Sequence, residues 1–439
     1  MNSAWKLPPG YSSHEVYFAD ASRFLEEYRW IYDFPVTELL VRGVLGQIPP
    51  DWAVAILSLN NQNLNDLPRG FVQEDWPPTL VEFSRRCQAL KIPAEQVTEL
   101  SCPLLPKKMC RGLTPKKQHE VACLAALVAG ECNRQGVTHV LDVGAGMGYL
   151  GGLLHQQSQF HVLGLERDAA LVEAARRRTS PAVQFAVCDI LCSTSNSVEA
   201  AMQSAWGAPH QTCVTGLHAC GDLSVDTLRL FVRIPHLHLL VLVPCCYHRM
   251  RLQSCGFPLS KSLHRALNGS SPAFLDGPFL RLASQETSAR WQQWTEDEHK
   301  HHSLQVMARA VLQLYAYREG VVLRKMHRRA VRKTQRSSFE NYIDDALQRF
   351  EFVAAGDSCS PCIADARRQV TELWHKHRAS CRLVEVLTAL QMAIQGVAEI
   401  LLLVDRVAYL QEHGVACVNI VRAMNEAISP RSLALLARK

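Results

Sequence analysis

The chain has 439 residues, a length that excludes a single compact core of ordinary size and favours two or three lobes. Its composition, with 48% hydrophobic and 20% charged residues, is ordinary for a soluble protein. The formal net charge of +6 is a mild basic surplus, which permits acidic partners without requiring them.

Cysteine usage and the first residues bear on cellular location. Sixteen cysteines are scattered through apolar segments, and the first residues lack the hydrophobic core of a signal peptide. We therefore expect a soluble protein of the cytoplasm, the nucleus or both, with reduced thiols rather than a disulfide framework.

Residues 1–110 are predicted to form a helical N-terminal lobe. Apolar residues recur at three- and four-residue spacing over 22–34 and 78–91, which is the period of an amphipathic helix. Between these segments, residues 59–70 are rich in turn-forming residues. Nothing in this lobe indicates a reaction.

The pattern changes to alternating helices and strands in residues 111–255. Apolar strands separated by helices predict a parallel sheet with both faces covered, which is the first part of an α/β core. A helix is predicted from Pro115 to about Cys132, and strands are predicted at 138–143, 160–165, 183–187, 212–217 and 237–243.

A long insertion after the fifth strand, residues 256–380, is predicted to interrupt this core. The insertion is irregular apart from a helix near 303–317 and the basic run that follows it. The core is predicted to resume over 381–439, with helices at 382–413 and a turn and final strand within 428–439.

One apolar stretch, residues 386–404, could be mistaken for a membrane span because of its length. It carries Gln391, Gln395 and Glu399, whose polar groups would be costly in hydrocarbon. We therefore expect a buried amphipathic helix and no association with a membrane.

Three glycines follow the first strand of the core, in the sequence Asp142-Val-Gly-Ala-Gly-Met-Gly148. Glycine lets the backbone approach a ligand closely and adopt positive φ. A dinucleotide-binding turn requires Gly-x-Gly-x-x-Gly directly after the strand, but counted from Gly144 this spacing fails because residue 149 is Tyr. An offset match from Gly146 begins too far from the strand.

An acid before Gly144, Gly146 and Gly148 favours S-adenosylmethionine instead. This cofactor has no pyrophosphate, and it carries an ammonium, a carboxylate and a sulfonium. We expect the carboxylate of Asp142 to attract the cationic end while the bare backbone passes under the adenosine.

The next two strands also end in acids. Glu166 lies 24 residues after Asp142, at a strand end where a carboxylate can accept both ribose hydroxyls. Asp189 ends the following strand, at a position suited to the adenine amine, although it could also be a simple turn residue. The ordered set of three acids predicts a cofactor site.

Two lysines begin the helix ahead of the first strand. Thr114 is a suitable N-cap and Pro115 a suitable first residue. Lys116 and Lys117 are then poorly placed for the helix dipole unless an anion binds there, such as a substrate phosphate or the carboxylate of the cofactor. The alternative is two solvated lysines.

The loops after the fourth and fifth strands should reach the edge of the sheet where ligands bind. His218, Asp222, Tyr247 and His248 are therefore candidates to face a methyl acceptor, and Asp222 or a histidine is the candidate base. The fourth loop lacks the Asn/Asp-Pro-Pro-Tyr/Phe sequence of enzymes that methylate the exocyclic amine of adenine.

Cysteines in the same loops admit two further interpretations. Cys245 or Cys246 could act as a thiolate nucleophile on a pyrimidine ring, with His248 lowering the thiol pKa. The histidines and cysteines of both loops could also hold a metal, but no Cys-x-x-Cys pair is repeated there, and buried packing is commoner for cysteine. We do not assign a metal from the sequence.

A basic run over 323–336 places Arg324, Arg328, Arg332 and Arg336 at four-residue spacing. On a helix these cations would share one face, which predicts a surface for a polyanion such as RNA. A solvated surface helix or a nuclear-import signal explains the run equally well.

Five segments together resemble one known group, the methyltransferase-like protein 25 family, most closely its 25B branch. That branch is also called the ribosomal RNA adenine dimethylase domain-containing protein. The segments are TPKKQHEV (114–121), VLDVGAGMGYL (140–150), LHACGDLS (217–224), VPCCYHRM (243–250) and ISPRSLALLARK (428–439).

The resemblance implies a class I, Rossmann-like methyltransferase fold that binds S-adenosylmethionine. The residues it implicates are Asp142, Gly144, Gly146, Glu166 and Asp189. Residues 245–249 also resemble a segment of the tRNA acceptor-stem 2′-O-methyltransferases, which favours RNA as the acceptor over a protein side chain, and DNA is not expected. A catalytically silent cofactor-binding scaffold is the alternative from another class.

Overall fold

A computed structural model describes residues 7–91, 95–96, 105–191, 194–251, 256–268, 274–327, 331–335, 337–354 and 362–439. Contacts divide the chain into two compact units. The first, which we call the sheet unit, comprises residues 1–24, 89–290 and 395–439. The second, which we call the helical unit, comprises residues 25–88 and 291–394.

The strands and helices of the described residues have the following bounds. The strands are β1 (Glu95–Gln96), β2 (His139–Val143), β3 (His161–Glu166), β4 (Gln184–Val187), β5 (Thr212–Cys220), β6 (Leu237–Cys245), β7 (Val321–Lys325), β8 (Phe350–Ala354), β9 (Cys417–Arg422) and β10 (Leu433–Arg438). The α-helices are α1 (His14–Glu27), α2 (Pro50–Leu57), α3 (Asn61–Asp66), α4 (Pro78–Ala89), α5 (Lys107–Cys110), α6 (Pro115–Gln135), α7 (Tyr149–Ser158), α8 (Ala169–Arg178), α9 (Ser195–Trp206), α10 (Asp222–Arg233), α11 (Lys261–Ala266), α12 (Gly277–Ala283), α13 (Ser288–Trp291), α14 (Glu296–Arg318), α15 (Phe339–Leu347), α16 (Ile363–His377) and α17 (Cys381–Glu412).

The central sheet has the strand order β1-β9-β10-β6-β5-β2-β3-β4. Strand β10 runs antiparallel to both neighbours, and the other pairs are parallel. This is the Rossmann-like methyltransferase sheet that the resemblance implied. The order reverses between β2 and β5, and ligands of open α/β sheets bind at such a switch point, beyond the carboxyl ends of the strands.

The five predicted strands of the core are confirmed, and so is the final strand. Each core strand is a short apolar run between turn residues, so that local pattern was sufficient to find it. Strands β5 and β6 extend three and two residues beyond the predicted ends, to Cys220 and Cys245. Strand β9 was not predicted.

The two compact units do not follow the domain boundaries predicted at residues 110, 255 and 380. Residues 25–88 of the predicted N-terminal lobe cluster with residues 291–394, which belong mostly to the predicted insertion. Helices α11, α12 and most of α13, also within that predicted insertion, cluster with the sheet. The segments of each unit are far apart in sequence, and local patterns carry no information about such grouping.

The predicted basic helix over 323–336 is wrong for the described residues. Gly320 has φ +65° after the end of α14, and the chain then enters β7, which pairs antiparallel with β8. On a helix the arginines would repel one another at four-residue spacing. In this strand pair, Arg324 faces Glu351 and donates to its carboxylate.

Two further arginines of the basic run lie outside the described residues, Arg328 and Arg336. Arg332 is described, and its Nε lies 2.6 Å from Oδ1 of Asp345, whose side chain is 2% exposed. Carboxylates of the protein itself therefore neutralise Arg324 and Arg332, and the described part of the run does not form the predicted helical cationic face.

The apolar stretch 386–404 lies within α17 and is buried, as predicted. The helical segment Ile363–Glu412 is long and apolar enough to cross a membrane by composition, but 89% of its most apolar window is inside the protein. Its polar groups have partners: Gln391 donates to the carbonyl of Ile31, and Glu399 accepts from Gln395 and Arg431. The stretch is a core helix of this fold.

Replacement of Glu399 by alanine is expected to lower the free energy of unfolding by about 3–5 kcal/mol. Arg431 Nη1 lies 2.6 Å from Oε1 of Glu399, and both side chains are less than 10% exposed. Removing only the carboxylate leaves a buried cation without its partner. Denaturant unfolding measures the loss, and the double variant Glu399→Leu/Arg431→Met should recover much of it. Equal stabilities of the single and double variants would contradict this account.

Candidate active site

A cavity of about 610 Å³ opens at the carboxyl edge of the sheet, within the sheet unit. It is lined by residues that follow or end four adjacent strands: Gly144 after β2, Glu166 at the end of β3, Asp189 after β4 and Cys220 at the end of β5. The cavity therefore lies at the switch point of the sheet, where the sequence predicted a ligand site.

The glycine turn after β2 has the conformation that its sequence predicts. Gly144, Gly146 and Gly148 have φ of +65°, +56° and +72°, a region that disfavours residues with side chains. A Cβ on Gly144, which lines the cavity, would lie 2.9 Å from Cδ2 of Leu223. At Gly148 a Cβ would lie 2.6 Å from the ring of Phe185, so this glycine permits packing rather than ligand approach.

Glu166 faces the glycine turn. Its Oε2 accepts a hydrogen bond from the backbone N–H of Gly146 at 3.1 Å, and its Oε1 accepts one from Asp168 at 3.1 Å. These bonds orient the carboxylate before any ligand binds. A residue held in this way at the end of β3 can accept hydrogen bonds from ribose hydroxyls.

Asp142 lies in β2 and is 2% exposed. Its Oδ2 has no hydrogen-bond partner among the described residues. Burial is the main reason that the pKa of Asp142 is raised to about 7; Lys117 and a backbone hydrogen bond from Gly151 oppose this rise, and the charge of Glu166 adds to it. Asp142 does not line the cavity, whereas the sequence placed it in contact with the cofactor. A buried carboxylate with an unpaired oxygen costs stability, which is typical of a functional position.

The stability of the variant Asp142→Asn should exceed that of the wild type by an amount that grows with pH. The folded-state pKa of about 7 is higher than the ordinary value of 3.8, so the folded wild type loses stability as pH rises from about 4 to 7 and then no further. Asparagine does not ionise, and the difference at pH 8 is on the order of 1–4 kcal/mol. Thermal unfolding of both proteins between pH 5 and 8 measures it, and parallel curves would refute the assignment.

The remaining predicted cofactor residue, Asp189, is exposed and lines the same cavity. Ile190 and Leu191 follow it in the lining. An apolar surface beside a carboxylate suits an adenine ring, whose amine can donate to the carboxylate. The glycine turn at Gly144, the carboxylate of Glu166 oriented by its hydrogen bonds, and the surface suited to adenine at Asp189 together fit S-adenosylmethionine.

Lys116 and Lys117 face carboxylates of the protein. Lys116 Nζ lies 3.8 Å from Oε1 of Glu120. Burial lowers the pKa of Lys117, while Glu120 and Asp142 raise it. These two acids supply negative charge near the first turn of α6, which reduces the dipole penalty on the lysines without requiring an external anion.

A dyad that the sequence did not predict joins α6 to β5. Nε2 of His218, a residue lining the cavity, lies 3.1 Å from Oε2 of Glu120. Glu120 is 2% exposed, and its Oε1 accepts from the hydroxyl of Ser429 at 2.8 Å. Burial raises the pKa of Glu120, but the bonds from His218 and Ser429 and the charge of Lys116 leave it below its usual value. The ionised carboxylate can only accept, so Nε2 carries the hydrogen and Nδ1 carries the lone pair of a base.

The other two candidate bases are placed differently. Asp222 lines the cavity, but Arg251 holds it through Nε to Oδ2 at 2.7 Å and through its backbone N–H to Oδ1 at 3.1 Å. His248 is exposed and does not line the cavity. Tyr247 is buried, and burial raises its pKa above the ordinary range. Among the candidates, His218 has the geometry of a positioned base.

Three cysteines meet beside the cavity. The sulfurs of Cys220, Cys245 and Cys246 all lie within 4.8 Å of one another, and those of Cys220 and Cys245 are 3.2 Å apart. Hydrogen bonds from Cys220 and Cys245 lower the pKa of Cys246, and His248 and Arg249 lower it further. Burial and contacts with the other two thiols raise the pKa of Cys245. Cys246 is therefore the most acidic thiol of the group.

Residues 116–253 match a family model described as a methyltransferase domain. Mouse "Probable methyltransferase-like protein 25" is 25% identical over 244 residues, which are 52% of this chain and 37% of the relative. The chain therefore covers little more than a third of the length of that relative.

Two solved structures of the plantazolicin methyltransferase BpumL with S-adenosylhomocysteine are similar to this chain. Both are 11% identical, and they cover 62% and 75% of this chain and 80% and 94% of their own chains. The TM-scores are 0.24 and 0.23, too low to indicate a common arrangement over those lengths.

The strand order of the sheet, the glycine turn after β2 and the match to the family model all indicate a methyltransferase domain. The strand order is that of the Rossmann-like methyltransferases. The matched segment, 116–253, contains the glycine turn, Glu166, Asp189 and the dyad of Glu120 and His218. Residues 116–253 of this chain match a methyltransferase domain, and the lining of its cavity fits S-adenosylmethionine as the cofactor.

Proposed function

We propose that this chain transfers the methyl group of S-adenosylmethionine to RNA. The observation that carries the proposal is that one cavity is lined both by Gly144, Glu166 and Asp189 and by His218. When bound, the cofactor supplies an electrophilic methyl group. Glu166 would bind the ribose, Asp189 the adenine, and the imidazole of His218 would accept the proton of the acceptor.

Charge at the cavity supports an anionic acceptor. Arg167, Arg249 and Arg251 line the cavity and are exposed, and Arg251 also pairs with Asp222. Exposed arginines around a catalytic cavity are suited to phosphate groups, which dominate the affinity of proteins for nucleic acids. A positioned base suits a hydroxyl acceptor, because a hydroxyl must lose a proton as it is methylated. We therefore favour a ribose hydroxyl, and placement in the 25B branch is part of the same proposal.

The test has two stages. Isothermal titration with S-adenosylhomocysteine should show one site in the full chain. The protein should then transfer label from tritiated S-adenosylmethionine to RNA from cells that lack the protein. The label should remain after treatments that remove methyl groups from bases, because the expected acceptor is a ribose hydroxyl. Label in protein fractions instead would identify a protein methyltransferase. Cofactor binding without labelling of either pool would identify a silent scaffold.

A salt series provides a check on the acceptor. If the three arginines contact RNA phosphates, the logarithm of RNA affinity should fall linearly with the logarithm of salt concentration. Arg249→Gln should reduce the slope by about one, since one phosphate contact is lost. The matched control is Arg177→Gln on the surface of α8, which does not line the cavity.

A further inference from the structure

The three thiols beside the cavity are brought together by the sheet itself. Cys220 and Cys245 end β5 and β6 and are partners in the parallel register of these strands. Their sulfurs are 3.2 Å apart, and both lie within 4.8 Å of the sulfur of Cys246. This convergence joins strand ends that are 25 residues apart in sequence.

The backbone at Cys246 is unusual. Its φ is +50° and its ψ is +43°, a left-handed conformation that is uncommon for a residue with a side chain. Consecutive residues of an extended strand point to opposite faces, so Cys245 and Cys246 would separate if the strand continued. The left-handed turn instead places both sulfurs near Cys220. Strain of this kind is maintained where a local geometry has a use.

The dimensions suit a tetrahedral, thiophilic metal ion. Zinc binds thiolates at about 2.3 Å, so the sulfurs of a tetrahedral site are about 3.8 Å apart. The sulfurs of Cys220 and Cys245 are 3.2 Å apart, somewhat closer than this value, and the sulfur of Cys246 lies within 4.8 Å of both. Small rotations of the side chains would be enough to reach it.

Surrounding cations would stabilise such a site. Lys117 interacts electrostatically with Cys220 and Cys245, and Arg249 with Cys220 and Cys246. Three thiolates around a divalent ion leave one net negative charge, which these cations offset. Cys220 and Cys246 are half-buried residues, and Cys220 lines the cavity, so an ion can approach the group from that cavity.

We propose that Cys220, Cys245 and Cys246 bind one thiophilic divalent cation, zinc in the first instance, with its fourth coordination position open on the side of the cofactor cavity. Three protein ligands with an open fourth position are typical of zinc sites that bind an exogenous ligand. This site is independent of the acceptor that we propose for methyl transfer.

Cobalt provides the spectroscopic test. The full chain, stripped of metal under reducing conditions, should take up one equivalent of cobalt(II) with an intense near-ultraviolet sulfur-to-cobalt charge-transfer band, which zinc should abolish. Each of Cys220→Ser, Cys245→Ser and Cys246→Ser should weaken metal binding by at least about 100-fold. The matched control is Cys188→Ser, because Cys188 lines the same cavity but lies outside the group.

Thiol footprinting keeps the test decisive if a variant fails to fold. In the wild type, one equivalent of zinc should protect Cys220 and Cys246 from iodoacetamide, as measured by mass spectrometry, and leave Cys188 equally reactive. The proposal is overturned if the charge-transfer band is absent, or if protection falls on other cysteines. Neither readout depends on methyl transfer, so failure here is distinct from failure of the proposed function.

Discussion

Replacement of Glu166 by alanine is expected to weaken the binding of S-adenosylhomocysteine by at least about 100-fold. A carboxylate that accepts two ribose hydroxyls contributes roughly 1.5–3 kcal/mol for each charge-assisted bond, and each 1.4 kcal/mol is a factor of ten in affinity. Glu166 also accepts from the N–H of Gly146 at 3.1 Å, so its removal loosens the glycine turn. Isothermal titration measures the change.

The matched control for this prediction is Glu173→Ala. Glu173 is an exposed acid of the next helix, α8, where its carboxylate pairs with Arg176 at 2.6 Å on the surface. Its removal should leave affinity and thermal stability nearly unchanged, because exposed ion pairs contribute little. If Glu166→Ala binds within threefold of the wild type while remaining folded, the cofactor does not occupy this cavity in the proposed manner.

Replacement of His218 by alanine is expected to reduce the rate of methyl transfer by about 10²–10⁴-fold, the usual contribution of a positioned general base. The affinity for S-adenosylhomocysteine should change little, because the imidazole acts on the acceptor. Single-turnover transfer of a tritiated methyl group measures the rate. The control is His236→Ala, an exposed histidine in the connection between α10 and β6.

Glu120 is the positioning residue for this base, and Glu120→Gln tests that role separately. The amide keeps the size of the side chain but removes the charge that stabilises the protonated imidazole. The acidic limb of the pH–rate profile should therefore move to lower pH, and the maximal rate should fall. A purely structural role for Glu120 would lower stability without moving that limb. Asp222→Ala tests the rival base and should have the smaller effect on the rate.

The cofactor half of the site was predictable because its signals are local. Asp142 and the three glycines are contiguous, and Glu166 and Asp189 each end a strand that the apolar pattern defines. The carboxyl ends of parallel strands lie at the same edge of the sheet. Residues that end successive strands are therefore close together in space, so their positions in the sequence predicted their proximity. The burial of Asp142 could not be predicted from a local pattern, because it depends on which side of the strand packs against α7.

The acceptor half was predicted only in part. His218 was one of several candidates, but its partner Glu120 lies 98 residues earlier and Ser429 lies 309 residues after Glu120. In the sequence, Glu120 is one of many residues of a long amphipathic helix, and its position in that helix does not mark it as a partner of His218. The sequence named Cys245 and Cys246 as candidate thiols, and their role stays a prediction; the register of β5 and β6 together with the turn at Cys246 brings both into one group with Cys220.

Periodicity and turn residues by themselves determined the α/β core, the glycine turn and the acids at the strand ends, because each depends on neighbours within one element and its adjoining loop. Only the tertiary structure decided that the basic run enters the strand β7 rather than a helix, that Glu351 and Asp345 pair with Arg324 and Arg332, and that residues 25–88 cluster with 291–394. The tertiary structure also decided that Glu120 orients His218. The physical reason is that burial and charge pairing depend on distances in space. The fold brings together residues that are far apart in the sequence, and their separation in the sequence does not predict that contact.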